Sequence, residues 1–173
     1  MPHRIVDSNV PLTAAGTNDA ASEICQQRCV QFVDRVLKGD IKVVIDEDDE
    51  VLFEYGKNVP VLNRSEDIAG QFLIHLYNHQ FNSAFVHRLT LEKNAFGQFV
   101  DYPDNEDGWT TSDIRCKRFD SDDKKWVALA ARFKSEMGTD APIVNAADRC
   151  WIAFEAQLES VGVVLEILCR DER

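Results

Sequence analysis

Apolar and polar positions along the chain follow two periods. Arg4-Ile5-Val6 is a short apolar run closed by Asp7, and Ile41–Ile45 is a longer β-branched one. Both read as buried strands. Between them Ile24, Cys25, Cys29, Phe32, Val33, Val36 and Leu37 recur at helical spacing. That spacing predicts a helix over about Ala20–Lys38, with Gly39 as its stop. Leu52, Tyr55 and Val59 share a helical face within Val51–Val59; Ile68, Phe72, Leu73 and Leu76 share another over about Ser65–Asn78. Ser83–Leu91 predicts a third strand. The stretch Asn94–Ile114 holds the turn signals Tyr102-Pro103-Asp104-Asn105 and Asp107-Gly108, and reads as an inserted loop. Trp126, Leu129, Ala130, Phe133 and Met137 then mark a helix over Lys124–Met137, ended by Gly138. Pro142–Val144 is a short strand. Asp148 opens a helix carrying Trp151, Ile152, Phe154 and Leu158, Gly162 ends it, and Val163–Leu168 is the last strand. Strands alternating with helices predict an α/β class fold, a three-layer α/β/α sandwich with a central, mainly parallel sheet. One domain spans 1–173, with an elaborated middle segment at about 63–117.

Composition narrows the function. With 173 residues, 45% of them hydrophobic, the chain can bury a substantial core. Nineteen Lys and Arg against thirty Asp and Glu give a net charge of −11. Nucleic-acid binding through uniform positive charge is therefore excluded. There is one local exception. Arg115, Lys117, Arg118, Lys124, Lys125, Arg132 and Lys134 fall within 115–134, against Asp120, Asp122 and Asp123 as the acids. Of these, Arg115, Lys117, Arg118, Lys124 and Lys125 are the candidate phosphate contacts. Trp109, in the loop, is a candidate for base stacking, whereas Trp126 and Trp151 fall on apolar helix stripes and read as core. Met1–Val10 holds no apolar run of signal-peptide length, and no stretch approaches the roughly 18–20 apolar residues of a membrane span. Cys25, Cys29, Cys116, Cys150 and Cys169 are odd in number and form no C-x-x-C. Free thiols in a cytoplasmic protein are the expectation.

The strand ends collect acids. Asp7 follows the first strand, Asp148 follows the fourth, Asp120, Asp122 and Asp123 precede the Trp126 helix, and Glu54 lies on the helix after the second strand. In open α/β sheets sites form at the carboxyl edge. Gathered carboxylates repel one another, and a hard divalent cation, Mg²⁺ or Mn²⁺, relieves that repulsion. The run Asp46–Glu50 reads instead as a solvated turn favouring the dipole of the next helix, with Asp46 worth separate attention. Ser8, Asn9, Asn145 and Asp122 are placed to hold such ligands, or a metal-bound water, by hydrogen bonds. His75 and His79 have zinc-compatible spacing but lack the adjacent glutamate of a zinc protease, and His87 has no evident partner.

The ordered segments I-V-D-S-N-V, V-L-F-E-Y, F-D-S-D-D-K-K-W-V-A-L-A and P-I-V-N-A-A-D-R-C-W together resemble the PIN domain, a family of metal-dependent nucleases. The resemblance covers roughly residues 4–62 and 118–169. It departs from the family at Asn145, where a threonine is frequent, and in the long middle segment. It implies that Asp7, Glu54, Asp123 and Asp148 are the catalytic, metal-binding acids. It also implies an Mg²⁺- or Mn²⁺-dependent endoribonuclease of toxin or defence type, a homo-oligomer, often under a regulatory protein partner. The alternative is a non-catalytic PIN-like subunit of a larger complex. A receiver or a haloacid-dehalogenase-like phosphatase is disfavoured: Asn9 stands where the phosphatase needs a second Asp, and Cys169-Arg170-Asp171 offers no lysine.

Overall fold

The computed structural model describes residues 1–59, 66–103, 109 and 111–171. Five strands form one sheet: β1 His3–Val6, β2 Lys42–Asp46, β3 Val86–Leu89, β4 Ile143–Asn145 and β5 Leu165–Ile167. Every pairing is parallel, in the order β3-β2-β1-β4-β5. Val43, Val44 and Ile45 are buried in succession. That is what a parallel strand covered on both faces requires, and why its sequence is a continuous apolar run.

Among the described residues, seven α-helices accompany the strands: α1 Asn9–Ala14, α2 Glu23–Leu37, α3 Glu50–Asn58, α4 Ile68–His79, α5 Lys124–Met137, α6 Arg149–Ala153 and α7 Glu155–Ser160. Helices α1, α2 and α4 pack on one another, whereas α5 lies across β1 to β4. Parallel neighbours need right-handed crossovers, so reversing the strand direction of travel moves the connecting helices to the other face. The result is a three-layer α/β/α fold with a wholly parallel sheet. The reversal falls between β1 and β4, the two strands that leave in opposite directions across the sheet. In such sheets the carboxyl ends of this pair are where a crevice forms. None of the helices, among the described residues, is long and apolar enough to cross a membrane.

The helix boundaries follow local chemistry. Ser22 starts α2 by accepting from the Cys25 N–H at 3.0 Å, three residues later than expected. Asp67 does the same for α4 at Gly70, 2.7 Å; Ser65, the expected start, lies outside the described residues. Gly138 ends α5 in the left-handed region, φ 68°. The expected helix after Asp148 breaks at Phe154, which sets α6 apart from α7 while its ring packs against Phe119. Helix α1 has no counterpart in the periodicity. The turn signals at Asp104, Asn105, Asp107 and Gly108 lie outside the described residues.

The cysteine expectation is corrected. Cys25 is bonded to Cys169 and Cys116 to Cys150, which leaves Cys29 as the free, buried thiol. The pairs are 144 and 34 residues apart in sequence. Tertiary packing of α2 on the segment after β5, and of the 111–119 loop on α6, brings them together. The cysteine argument for a cytoplasmic location loses its ground with them.

Candidate functional site

Asp7 leaves β1 at the crevice and is 5% exposed. The Asn9 N–H donates to its Oδ1 at 2.9 Å and the Asn145 side-chain amide to its Oδ2 at 3.2 Å. Asn145, the fully buried last residue of β4, accepts with its Oδ1 from the Asp148 N–H at 2.8 Å. One amide thus fixes Asp7 and the backbone of Asp148 together across the switch point. Asn9 performs the companion task, its Oδ1 accepting from the Ala146 N–H at 2.9 Å. The two asparagines singled out as supporting residues brace the β1 and β4 tips.

Asp148 also caps α6, accepting from the Cys150 N–H at 2.7 Å. Asp123 stands at the junction of a 3-10 turn, Ser121–Asp123, and α5, but its side chain makes no capping bond. Asp120 caps the turn instead, accepting from the Asp122 N–H at 3.0 Å. Successive side chains on a 3-10 turn diverge by about 120°. Asp123 lines the same cleft as Asp148, while Asp122 lines the neighbouring one with Glu54.

The electrostatics bind these acids into one group. Burial pushes Asp7 up to about 7, and the Asp148 and Glu54 charges push in the same direction. Burial likewise pushes Asp123 up to about 8, aided by Asp7, Asp148 and Asp120. In both cases the Lys125 charge pulls the other way and does not offset burial and the acidic neighbours. Glu54 is the exception: it forms an ion pair with Lys125, and Ser8 Oγ donates to its Oε1 at 3.1 Å. Lys125, expected on the phosphate-facing surface, is 7% exposed and points inward. Its place three and four residues before Ala128 and Leu129 on α5 was the signal that it faces the core.

Asp7 is buried, Asp123 part-buried and Asp148 exposed, and all three present carboxylate oxygens, the donor type a hard cation takes. Among the described residues, the one group of three or more ligand-type side chains with donor atoms all within 4.8 Å is Cys25, Cys29 and Cys169. The carboxylates surround the crevice without closing to that distance. Burial pushes the Cys29 thiol up to about 12, which makes it inert.

A cleft of about 810 Å³ runs from Asp123 and Asp148 to Arg115, Lys117, Arg118 and Lys124. The basic wall belongs to the 111–119 loop and the start of α5. The Cys116–Cys150 bond and the Arg149–Asp113 ion pair tie that loop to α6. Trp109 lines the cleft too, its ring set among Tyr102, Phe119 and Phe154. Trp126 and Trp151 are core, at 0% and 1% exposure. His75 and His79 pack on each other and on Phe85, and burial lowers His75. His87 packs against His3 and Phe133.

No protein-family model, no curated protein and no solved structure matches the chain. The likeness to PIN domains therefore rests on the quoted residues alone.

Proposed function

We propose that the protein is a metal-dependent endonuclease with RNA as its favoured substrate. The observation that carries this reading is one cleft lined by Asp123 and Asp148 together with four basic side chains, Arg115, Lys117, Arg118 and Lys124, with the buried Asp7 coupled electrostatically to both acids. A phosphodiester needs both: a cation held by the acids, and positive groups for its non-bridging oxygens. Asp7, Asp123 and Asp148, with Glu54 beside them, would hold Mg²⁺ or Mn²⁺. Such an ion supplies an activated water at neutral pH and stabilises charge on the phosphoryl oxygens.

The chain's own groups do the rest. Asn145 and Asn9 fix the tips of β1 and β4, so the acids stay in place when charge changes. Arg115, Lys117, Arg118 and Lys124 bind the strand on either side of the reacting phosphate. Trp109, held by neighbouring rings, offers an edge to a base. Under this reading the protein self-associates and is restrained by a partner protein. Phe81 and Phe96, at 84% and 88% exposure, offer apolar surface for such contacts. Those same side chains favour the second reading, a non-catalytic subunit of a complex.

Labelled single-stranded RNA and DNA of mixed sequence, incubated with purified protein and Mn²⁺ or Mg²⁺, test the reading. Internal cleavage is expected, stopped by a chelator and lowered by about 10³-fold in Asp7→Asn. Intact oligonucleotides with either ion would leave the subunit reading in its place.

A further inference from the structure

Three sulfurs meet at the start of α2. Cys25 and Cys29 stand one helical turn apart on its buried face, and Cys169 reaches them from the segment after β5. The three Sγ atoms lie within 4.8 Å of one another, and all three residues are buried. The Cys25–Cys169 bond leaves Cys29 as a third sulfur beside it. Their convergence does not depend on that bond alone. The Leu168 and Cys169 N–H groups donate to the Asn145 and Ala146 carbonyls, each at 2.9 Å. Arg28, on α2, donates to the Leu168 carbonyl at 3.0 Å, and Ser22 Oγ accepts from the Cys25 N–H. Reduction of the disulfide would therefore leave three thiols facing one point. None of the three lines the cleft with Asp123 and Asp148, so the site stands apart from the nuclease reading.

We propose that the reduced chain binds one trivalent arsenic on Cys25, Cys29 and Cys169, which then takes over the clamp between α2 and the segment after β5. Charge selects this class of ligand. Three thiolates around divalent zinc leave one negative charge, and around monovalent copper two, within the hydrophobic core. Structural zinc also takes a fourth ligand, and among the described residues no fourth ligand-type side chain joins this group. Trivalent arsenic takes three sulfurs, keeps a lone pair in the fourth direction and gives a neutral product. Two reactions lead there. Two equivalents of a small thiol reduce the disulfide: the S–S bond breaks, each cysteine takes a hydrogen, and the small thiol leaves as its own disulfide. Arsenous acid then exchanges its three hydroxides. Three As–O and three S–H bonds break, three As–S and three O–H bonds form, three waters leave, and arsenic stays trivalent. Burial keeps Cys29 as a thiol, the form this exchange consumes. The neutral acid enters by local opening at β5, a half-buried strand at the sheet edge.

The full chain, reduced with a phosphine, freed of it without oxygen and given one equivalent of arsenite, is read by mass spectrometry and arsenic X-ray absorption. It is expected to gain one arsenic and lose three hydrogens, to show three sulfur neighbours, and to melt above the arsenic-free reduced chain. Reduction also opens Cys116–Cys150, so the same is measured in Cys116→Ser with Cys150→Ser, where the three-sulfur adduct is expected to persist. Cys29→Ala in that background leaves two sulfurs and one As–O bond, and is expected to bind about 10²-fold more weakly. Should Cys29→Ala fail to fold, Cys169→Ser carries the same expectation. The chain with both disulfides intact is expected to take up no arsenic. Two sulfur neighbours in place of three, equal affinity without the Cys29 sulfur, uptake by the disulfide-bonded chain, an unchanged melting temperature or no uptake by the reduced chain would each overturn the inference.

Discussion

Asp7 and Asp46 sit at matching places and do opposite things. β1 and β2 are adjacent, and the register that pairs Arg4 with Val43 carries Asp7 to the level of Asp46. Both side chains are buried, at 5% and 0% exposure. Asp46 accepts from the Glu50 and Val51 N–H groups at 2.8 and 2.9 Å, which open α3. Those donors are orphans of the first helical turn, and the helix dipole favours the negative charge. Asp7 accepts one backbone N–H and one amide, and faces the charges of Asp148 and Glu54. A buried carboxylate at a strand end is therefore structural or chemical according to what surrounds it. The backbone partners settle Asp46; burial and the acidic neighbours hold the Asp7 carboxyl up to about 7.

The sharpest way to break the contrast is to remove each carboxylate. Asp46→Ala strands two buried N–H groups and is expected to cost about 3 kcal/mol in urea unfolding while Mn²⁺ affinity holds. Asp7→Asn, which removes a charge short of partners, is expected to keep or raise the melting temperature of the metal-free protein and to lose Mn²⁺ binding. If Asp46→Ala released the ion and Asp7→Asn unfolded the chain, the two assignments would be reversed.

A pH series tests the same difference more gently. The folded value of Asp7, about 7, lies above its ordinary value of 3.8, so the native state holds the proton longer. The stabilising contribution is complete below about pH 4 and is lost as pH rises through about 7. Asp123 behaves alike through about 8. The stability difference between wild type and Asp7→Asn should therefore shift against the wild type, by on the order of 2 kcal/mol, between pH 4 and 8. Mn²⁺ should cancel the shift. A difference that stays level with pH would mean that Asp7 is not crowded by acids.

The smallest expected effect lies at the basic wall. Cys116→Ser with Cys150→Ser frees the loop bearing Arg115, Lys117 and Arg118 from α6. RNA affinity at fixed salt should fall about tenfold, with a shallower salt slope and unchanged Mn²⁺ affinity. Unchanged RNA affinity would show that the loop needs no covalent tie to α6.

Much of this arrangement is legible in the residues. The β-branched runs at Ile5-Val6 and Ile41–Ile45 fix buried parallel strands, and Gly138 and Asp148 mark helix ends because only particular backbone angles or side-chain acceptors serve there. The acids at strand tips could be read for the same reason. Other features could not. Asp120, Asp122 and Asp123 all precede α5, and only geometry decides that Asp120 takes the capping bond. Lys125 sat within a basic run that masked its helical register. Cysteine pairing depends on which loops meet, and nothing in the spacing of Cys25 and Cys169 reports that. Asn145 looked like a departure from a family pattern, but its amide joins two strand tips through a donor and an acceptor, which a threonine hydroxyl would span differently.

The Cys25–Cys169 bond, which encloses 144 residues of sequence separation, makes the chain nearly a ring. A protease that nicked any loop inside that ring would leave both pieces joined, so damage would pass unseen on a gel until a reductant was added.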